Sequence, residues 1–272
     1  MITSKSYLLF TCLLFNSCSS YAELAYPDGN KKAVVFSFDD GMVQDRRLVS
    51  LLNKYKVKGT FNLSSGLFSQ DAPWLKKYLP TEGMYVDHDE VAVLYKRHEV
   101  AGHSFSHPGL PGLPRKEIQH QVESDKERLG SLAGYNVTSF AYPLGLYDDN
   151  VIYELKRAGY TNARTVNSTL NFDLPDNLFA WHPSAHHSEA YPLAIKYAEQ
   201  KSESLSVFVI WGHSWEFDQN ITSNNWDYFE SILKTLTDTN DIWFTTAGDF
   251  AEFYHQTLEY RSGIASQSPQ MK

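Results

Sequence analysis

The sequence has 272 residues, of which 42% are hydrophobic and 21% are charged. A chain of this composition can bury a sizeable core, which excludes a disordered or low-complexity protein. The formal net charge is −8 at pH 7, and no block of Lys and Arg stands out. Nucleic acids and anionic membranes are therefore poor partners on charge alone.

The first residues predict an export signal. An apolar run over residues 7–15 is followed by small polar residues, and a small-x-small site ends at Ala22. We expect a signal peptide over residues 1–22 and a periplasmic or extracellular mature chain; a lipoprotein signal with a lipidated Cys18 is the second alternative. Both cysteines, Cys12 and Cys18, fall in this leader, so no disulfide is expected in the mature domain. No later stretch is long and apolar enough to predict a transmembrane helix.

From about residue 33 the sequence alternates between strand-like and helix-like segments. This alternation predicts an α/β fold whose parallel sheet is covered by helices. Seven strands favour a barrel, and an open doubly wound sheet is the alternative. The predicted strands cover residues 33–38, 57–63, 99–103, 137–142, 160–166, 205–211 and 241–245. The stretch 67–87 has no clear periodicity and is expected to be an inserted loop that carries Trp74 and Tyr85.

Polar residues gather where the predicted strands end. Asp39 and Asp40 follow the first strand, His103 ends the third, Arg164 lies at the end of the fifth, and His213 follows the sixth. Ligands of barrels and doubly wound sheets bind at the carboxyl ends of the strands, so these side chains are expected to form one site. Taken alone, each has a simpler interpretation, because Asp-Asp-Gly is also a common turn and a lone histidine is often a core residue.

Two histidines four residues apart, His103 and His107, suggest a metal site. If the segment coils into a turn, both imidazoles can meet one cation, and one carboxylate completes a His₂Asp set with an open position. Such a set activates water and polarises a carbonyl. The second aspartate is then available to handle a proton, and His213 is the candidate proton donor. His186 and His187 lie in an irregular segment and are expected to be structural or solvent-exposed.

Four motifs occur in a fixed order along the chain. They are Ser-Phe-Asp-Asp-Gly at 37–41, His-Ser-Phe-Ser-His-Pro at 103–108, Phe-Ala-Tyr-Pro-Leu-Gly at 140–145 and Ile-Trp-Gly-His at 210–213. Together they resemble the motifs of the polysaccharide deacetylases, which form carbohydrate esterase family 4 with the NodB-homology domain. The resemblance implies a distorted (β/α)₇ barrel. It divides the chain into a linker at 23–32, a catalytic domain at 33–260 and a tail at 261–272 that looks unstructured.

The resemblance also implies roles for the residues of the first, second and last motifs. Asp39 is expected to be the catalytic base and His213 the acid that protonates the leaving amine. Asp40, His103 and His107 are expected to hold a divalent metal ion, with zinc as the first choice and cobalt or another divalent ion as alternatives.

The third motif both matches the family and departs from it. The backbone N–H of Leu144 is expected to bind the oxyanion, while Tyr142 and Pro143 shape the groove. Ala141 stands where the family often has an arginine, and no fourth motif is evident. Arg164 is therefore the candidate to replace that positive charge beside the catalytic base and to keep it ionised; the alternative is a surface or structural arginine.

Residues around the last motif are candidates for contacts with the substrate. Ser214 follows the histidine where the family has an aspartate. Trp211 is expected to line the pocket for the acetyl methyl group, while Trp215 and Glu216 are expected to hold a sugar ring, since aromatic faces suit the apolar faces of such rings. The alternative is that Trp211 is a core residue and Trp215 only caps the rim of the barrel.

These expectations amount to an exported, metal-dependent hydrolase. Metal-bound water, with Asp39 as base and His213 as acid, would remove acetyl groups from an N-acetylated polysaccharide or oligosaccharide, in preference to an O-acetylated one. Two alternatives stay open: a related C–N hydrolase that acts on a non-sugar amide, and a non-catalytic saccharide-binding module. The oligomeric state cannot be inferred from the sequence.

Overall fold

The computed structural model describes residues 24–80 and 83–267, and the side chains as far as residue 257. The predicted leader and its cleavage site lie outside the described residues, as do both cysteines. Among the residues that are described, no helix combines the length and the hydropathy that crossing a membrane requires.

Strands and helices alternate along most of the described chain. The strands are β1 (Lys32–Asp40), β2 (Thr60–Leu63), β3 (Asp71–Ala72), β4 (Gly83–Met84), β5 (Glu99–Gly102), β6 (Ser139–Ala141), β7 (Asn162–Arg164), β8 (Ala185–His186), β9 (Ser206–His213) and β10 (Ile242–Thr245). The α-helices are α1 (Asp45–Lys54), α2 (Val91–Leu94), α3 (Arg115–Ala133), α4 (Asp149–Arg157), α5 (Ala190–Glu199), α6 (Trp226–Thr237) and α7 (Ala247–Gln267).

Seven parallel strands form a sheet in the order β7-β6-β5-β2-β1-β9-β8. Trp181, just before β8, bridges to Arg164 at the end of β7, so the segment that leads into β8 joins the two outer parts of the sheet. The predicted distorted (β/α)₇ barrel is confirmed, and the alternative of an open doubly wound sheet does not apply.

One strand of the barrel differs from the sequence prediction. The predicted strand at 241–245 forms β10, but it pairs with the first half of β1, beside β2, instead of closing the ring. The position in the ring is taken by β8, a two-residue strand in a region without periodicity. A strand this short leaves no readable pattern of apolar residues.

The central strand β1 positions the site. Its nine residues are all buried, as expected of a parallel strand with neighbours on both sides. Its register with β9 runs from Lys32 opposite Ser206 to Asp39 opposite His213. The carboxyl ends of β1 and β9 therefore bring the first and last motifs side by side.

The predicted insertion between β2 and β5 is present and has structure of its own. It contains the antiparallel pair β3–β4 and short 3₁₀ turns, one of them at Pro73–Lys77. A small apolar cluster separate from the main core holds it against the barrel; the buried members are Met42, Ala72, Leu75, Leu79, Tyr85 and Trp215. At the other end of the chain, α7 continues to Gln267, although the sequence suggested an unstructured tail from about residue 261.

Candidate active site

Asp40, His103 and His107 converge at the carboxyl ends of β1 and β5. Nε2 of His107 lies 3.5 Å and Nε2 of His103 lies 3.9 Å from Oδ1 of Asp40. The predicted turn is present, because Ser104 and His107 both have left-handed backbone angles and the hydroxyl of Ser104 accepts the N–H of His107 at 3.1 Å. These three side chains form a group that could hold a metal ion.

The surroundings of these ligands fit a divalent cation. The Nδ1 atom of His103 lies 2.7 Å from the carbonyl oxygen of Ala141, which turns Nε2 toward Asp40. Burial lowers the pKa of His103 to about 4, so the ring is neutral, as a metal ligand must be. The indole N–H of Trp215 donates to Oδ2 of Asp40 at 3.1 Å and leaves Oδ1 facing the two histidines. Mixed imidazole and carboxylate donors suit zinc.

Asp39 has a different environment from its neighbour. It is buried, its Oδ1 accepts a hydrogen bond from Nδ2 of Asn62 at 2.8 Å, and the same oxygen pairs with the guanidinium of Arg164. Burial opposes ionisation, but the charge and hydrogen bond of Arg164, together with the nearby histidines, outweigh it and hold the pKa of Asp39 below its usual value. Asp40 adopts a left-handed backbone angle, φ 81°, which is rare outside glycine. The two neighbouring carboxylates therefore have different partners: Asn62 and Arg164 for Asp39, and Trp215 for Asp40.

Arg164 reaches Asp39 across the barrel, from β7 to β1. Its Nε also donates to the hydroxyl of Ser37 at 3.0 Å, and its Nη1 to the carbonyl of Thr165 at 2.8 Å. The positive charge beside Asp39 is thus where the sequence analysis put it. Because Arg164 is buried and pairs with Asp39, it is a partner of Asp39 and not a residue that could contact a substrate.

His213 lies on the other side of Asp40. Its Nε2 is 3.9 Å from Oδ2 of Asp40, and its Nδ1 is 3.5 Å from Oε2 of Glu216. Burial acts to lower the pKa of His213, but the carboxylates of Asp40 and Glu216 outweigh it and raise the pKa to about 9. The imidazole is therefore protonated at neutral pH.

Sequence reasoning missed the part of His186 and His187 in this arrangement. Nε2 of His186 lies 2.9 Å and Nε2 of His187 lies 3.4 Å from Oε2 of Glu216, the oxygen that His213 also faces. His187 is fully buried, as a structural role requires, whereas His186 belongs with His213 and Glu216 to a second group with metal-ligand spacing. Since β8 and its neighbourhood show no periodicity, no local pattern could have assigned these histidines to the site.

The third motif forms a short 3₁₀ turn, Pro143–Gly145, directly after β6. Leu144 has a left-handed φ of 58° and an exposed side chain, so its backbone lies at the rim of the barrel. Tyr142 is buried, and its hydroxyl donates to the carbonyl of Phe179 at 2.8 Å. The buried side chains of Tyr142 and Pro143 therefore pack beneath the surface of the turn, and they do not form the exposed wall of a groove.

The two tryptophans near His213 have different surroundings. Trp211 lies with its ring 4.9 Å from that of His186 and 5.1 Å from the guanidinium of Arg164. Its indole N–H is buried and makes no hydrogen bond with the described part of the chain. Trp215 is only 6% exposed and packs against Trp74 and Tyr78, so the expected stacking of a sugar on Trp215 is wrong. The acetyl pocket at Trp211 stays a prediction.

The match to a family model covers three of the four motifs. The family model "Polysaccharide deacetylase" matches residues 26–163. The peptidoglycan-N-acetylmuramic acid deacetylase PdaA of Bacillus subtilis is 29% identical over 133 residues, which are 48% of this chain and 45% of that protein. A chitooligosaccharide deacetylase of Sinorhizobium fredii is 26% identical over 130 residues, 47% of this chain and 54% of that protein. The chain thus spans about half the length of these relatives.

The fold also has solved counterparts. The crystal structure of a putative polysaccharide deacetylase from Mycobacterium smegmatis superimposes with a TM-score of 0.58 at 15% identity. The match covers 87% of this chain and 94% of that one. At this level of identity the likeness shows a shared fold.

Proposed function

The chain belongs to the polysaccharide deacetylase family, carbohydrate esterase family 4, and we propose that it is a metal-dependent hydrolase of N-acetyl groups on a polysaccharide or oligosaccharide. The observation that carries the proposal is that one site at the carboxyl ends of the strands holds separate groups for binding a metal, for accepting a proton and for donating one. The metal-ligand group of Asp40, His103 and His107 lies beside two groups in opposite protonation states. These are a buried, ionised Asp39 and, paired with it on β9, a protonated His213. The export signal predicted for residues 1–22 would put this reaction outside the cytoplasm.

When bound by Asp40, His103 and His107, a divalent cation would polarise the acetyl carbonyl and make water more acidic. Asp39 is suited to take the proton of the attacking water. Its Oδ1 is occupied by Asn62 and Arg164, and Oδ2 is the oxygen left to accept that proton. Because Asp39 is ionised, it is in the required state before the reaction begins.

His213 is suited to the opposite step. With its pKa raised to about 9, it carries at neutral pH the proton that the leaving nitrogen needs. Its Nε2 faces the side of Asp40 away from His103 and His107, since it approaches Oδ2 whereas the other two approach Oδ1. The backbone N–H of Leu144 is proposed to stabilise the oxyanion.

Acetate release combined with elemental analysis tests this function. We expect purified protein to contain divalent metal and to release acetate from N-acetylglucosamine oligomers or from peptidoglycan, the substrates for which its relatives are named. Metal without acetate from any glycan, but with hydrolysis of simple amides, would favour the C–N hydrolase of non-sugar substrates. Neither metal nor hydrolysis would favour the saccharide-binding module. The Asp39→Asn variant is the matched control for contaminating activity.

Glu216 is proposed to position His213 by facing its Nδ1. Glu216→Gln keeps the size of the side chain but removes its charge. We expect kcat to fall about 10²-fold, the lower end of what general acid catalysis contributes, with little change in KM. Because His213 then loses a neighbouring negative charge, its pKa falls, and the alkaline limb of the pH profile of kcat moves to lower pH.

The measurement is the pH dependence of kcat and KM for Glu216→Gln and Glu216→Asp. The aspartate variant keeps the charge and should retain more activity than the glutamine variant. A rise in KM with unchanged kcat would instead assign Glu216 to a sugar contact, as the sequence first suggested.

A further inference from the structure

Two exposed aromatic side chains stand beside the proposed active site. Trp74 and Tyr78 lie on and just after the 3₁₀ turn of the insertion between β2 and β5, and they are 36% and 53% exposed. Their ring centroids are 6.4 Å apart and the ring planes are inclined at 73°. We call this pair the aromatic corner. Neighbouring exposed rings of this size on a surface mark a site of contact with a ligand more often than isolated ones do.

The aromatic corner is held in place relative to Asp40. The ring of the buried Trp215 lies 5.5 Å from that of Trp74 and 5.4 Å from that of Tyr78, and the indole N–H of Trp215 donates to Asp40 at 3.1 Å. One buried side chain thus separates the corner from a proposed metal ligand. The corner is therefore the next surface that a molecule extending from the site in this direction would meet.

The insertion is fastened to the chain that directly follows Asp40. The N–H of Val86 donates to the carbonyl of Gly41 at 2.9 Å, and the N–H of Val43 donates to the carbonyl of Met84 at 3.0 Å. Within the insertion, the indole N–H of Trp74 donates to the hydroxyl of Tyr85 at 3.3 Å. The small apolar cluster under the insertion includes both Tyr85 and Trp215. These contacts fix the corner before any ligand arrives, which reduces the entropy that binding costs.

We infer that the aromatic corner is a binding subsite for a sugar ring of the glycan chain next to the acetylated unit. The inference rests on the proposed function, because a polysaccharide continues beyond the unit whose acetyl group reaches Asp40 and His213. The C–H face of a pyranose ring is apolar and packs on an aromatic face. Since the two rings of the corner are steeply inclined, a sugar stacked on one of them presents its edge to the other. The subsite selects oligosaccharides and polymers over single sugars.

The test measures how kcat/KM depends on the length of the glycan. For the wild type we expect kcat/KM on N-acetylglucosamine oligomers to rise from the dimer to the hexamer. In Trp74→Ala and in Tyr78→Ala this gain with length should shrink by about 3- to 10-fold, the size of one aromatic stacking contact. Tyr78→Phe keeps the ring and should keep the gain. Tyr153→Ala removes an aromatic ring of similar exposure, 55%, from α4 and is the matched control.

A binding measurement separates the subsite from the reaction. Calorimetric titration of the hexamer, and of soluble peptidoglycan strands, into the Asp39→Asn protein reads affinity without turnover. Weaker binding by the same factor after Trp74→Ala or Tyr78→Ala, but not after Tyr78→Phe, supports the subsite even if the wild type releases no acetate. Acetate release with an unchanged length dependence and unchanged affinity in both alanine variants would overturn the subsite and leave the proposed function standing. If the protein neither binds nor hydrolyses these glycans, both inferences fall. Because both side chains are largely outside the core, circular dichroism is expected to show folded variants.

Discussion

Loss of one metal ligand is expected to abolish bound metal and activity together, whereas loss of the base should abolish activity alone. His103→Ala, His107→Ala or Asp40→Asn leaves only two protein ligands, too few to hold the ion in competition with water. Asp39→Asn keeps the shape of the side chain but cannot accept a proton, and it should lower kcat by about 10²–10⁴-fold while the metal stays bound.

Elemental analysis of each purified variant, together with acetate release, checks this separation. The reverse pattern, with metal retained in Asp40→Asn and lost in Asp39→Asn, would mean that the two neighbours have exchanged roles. Stoichiometric metal in either histidine variant would remove that histidine from the ligand set. His255→Ala is the matched control, since His255 is exposed on α7 and its Nε2 faces the carbonyl of Thr161, 3.4 Å away.

The residues that the sequence could locate are those attached to readable strands. Strands β1 and β9 contain long apolar runs, so their ends could be recognised, and with them Asp39 and His213. The shorter β5 and β7 followed from the alternation of strands and helices, and with them His103 and Arg164. Since parallel strands end at one rim, recognising the strands was enough to bring these residues together.

The residues that the sequence missed depend on contacts between segments without periodicity. His186 lies on a two-residue strand and contacts Glu216, which lies 30 residues further along on a 3₁₀ turn. Trp215 was expected to present its ring to a sugar, but the insertion covers it with Trp74 and Tyr78. How an insertion folds back over a neighbouring loop is decided by packing between distant segments, and no local pattern records it.

Arg164 lies next to the position at which the family often has an arginine. Ala141 on β6 is the residue directly paired with Arg164 on β7. Side chains at paired positions of neighbouring strands lie on the same face of the sheet. The place where the family often has an arginine and the place where this chain has one are therefore adjacent, and both are buried.

Arg164→Ala is expected to lower activity at neutral pH and to shift the acid limb of the pH profile to higher pH. Without the guanidinium, burial loses the strongest interaction that opposes it, and the pKa of Asp39 rises. Asp39 must be ionised to accept a proton, so activity is lost as the pH falls below its pKa. In the wild type the lowered pKa of Asp39 keeps the acid limb of the pH profile at low pH, and in the variant this limb should lie at higher pH. We expect kcat/KM at pH 7 to fall by about 10²-fold, with partial recovery as the pH is raised.

The double variant Ala141→Arg/Arg164→Ala tests whether the charge or its position matters. If an arginine from β6 reaches Asp39 through the space that Arg164 leaves, the acid limb should return toward that of the wild type and kcat/KM should recover at least about 10-fold over Arg164→Ala. Arg115→Ala, which removes a largely exposed arginine paired with Glu154, controls for the general loss of a positive charge. A wild-type pH profile in Arg164→Ala would show that Asp39 does not depend on this pair. An unrestored profile in a folded double variant would show that the hydrogen bonds of Arg164 to Ser37 and Thr165 are needed to aim the charge at Asp39.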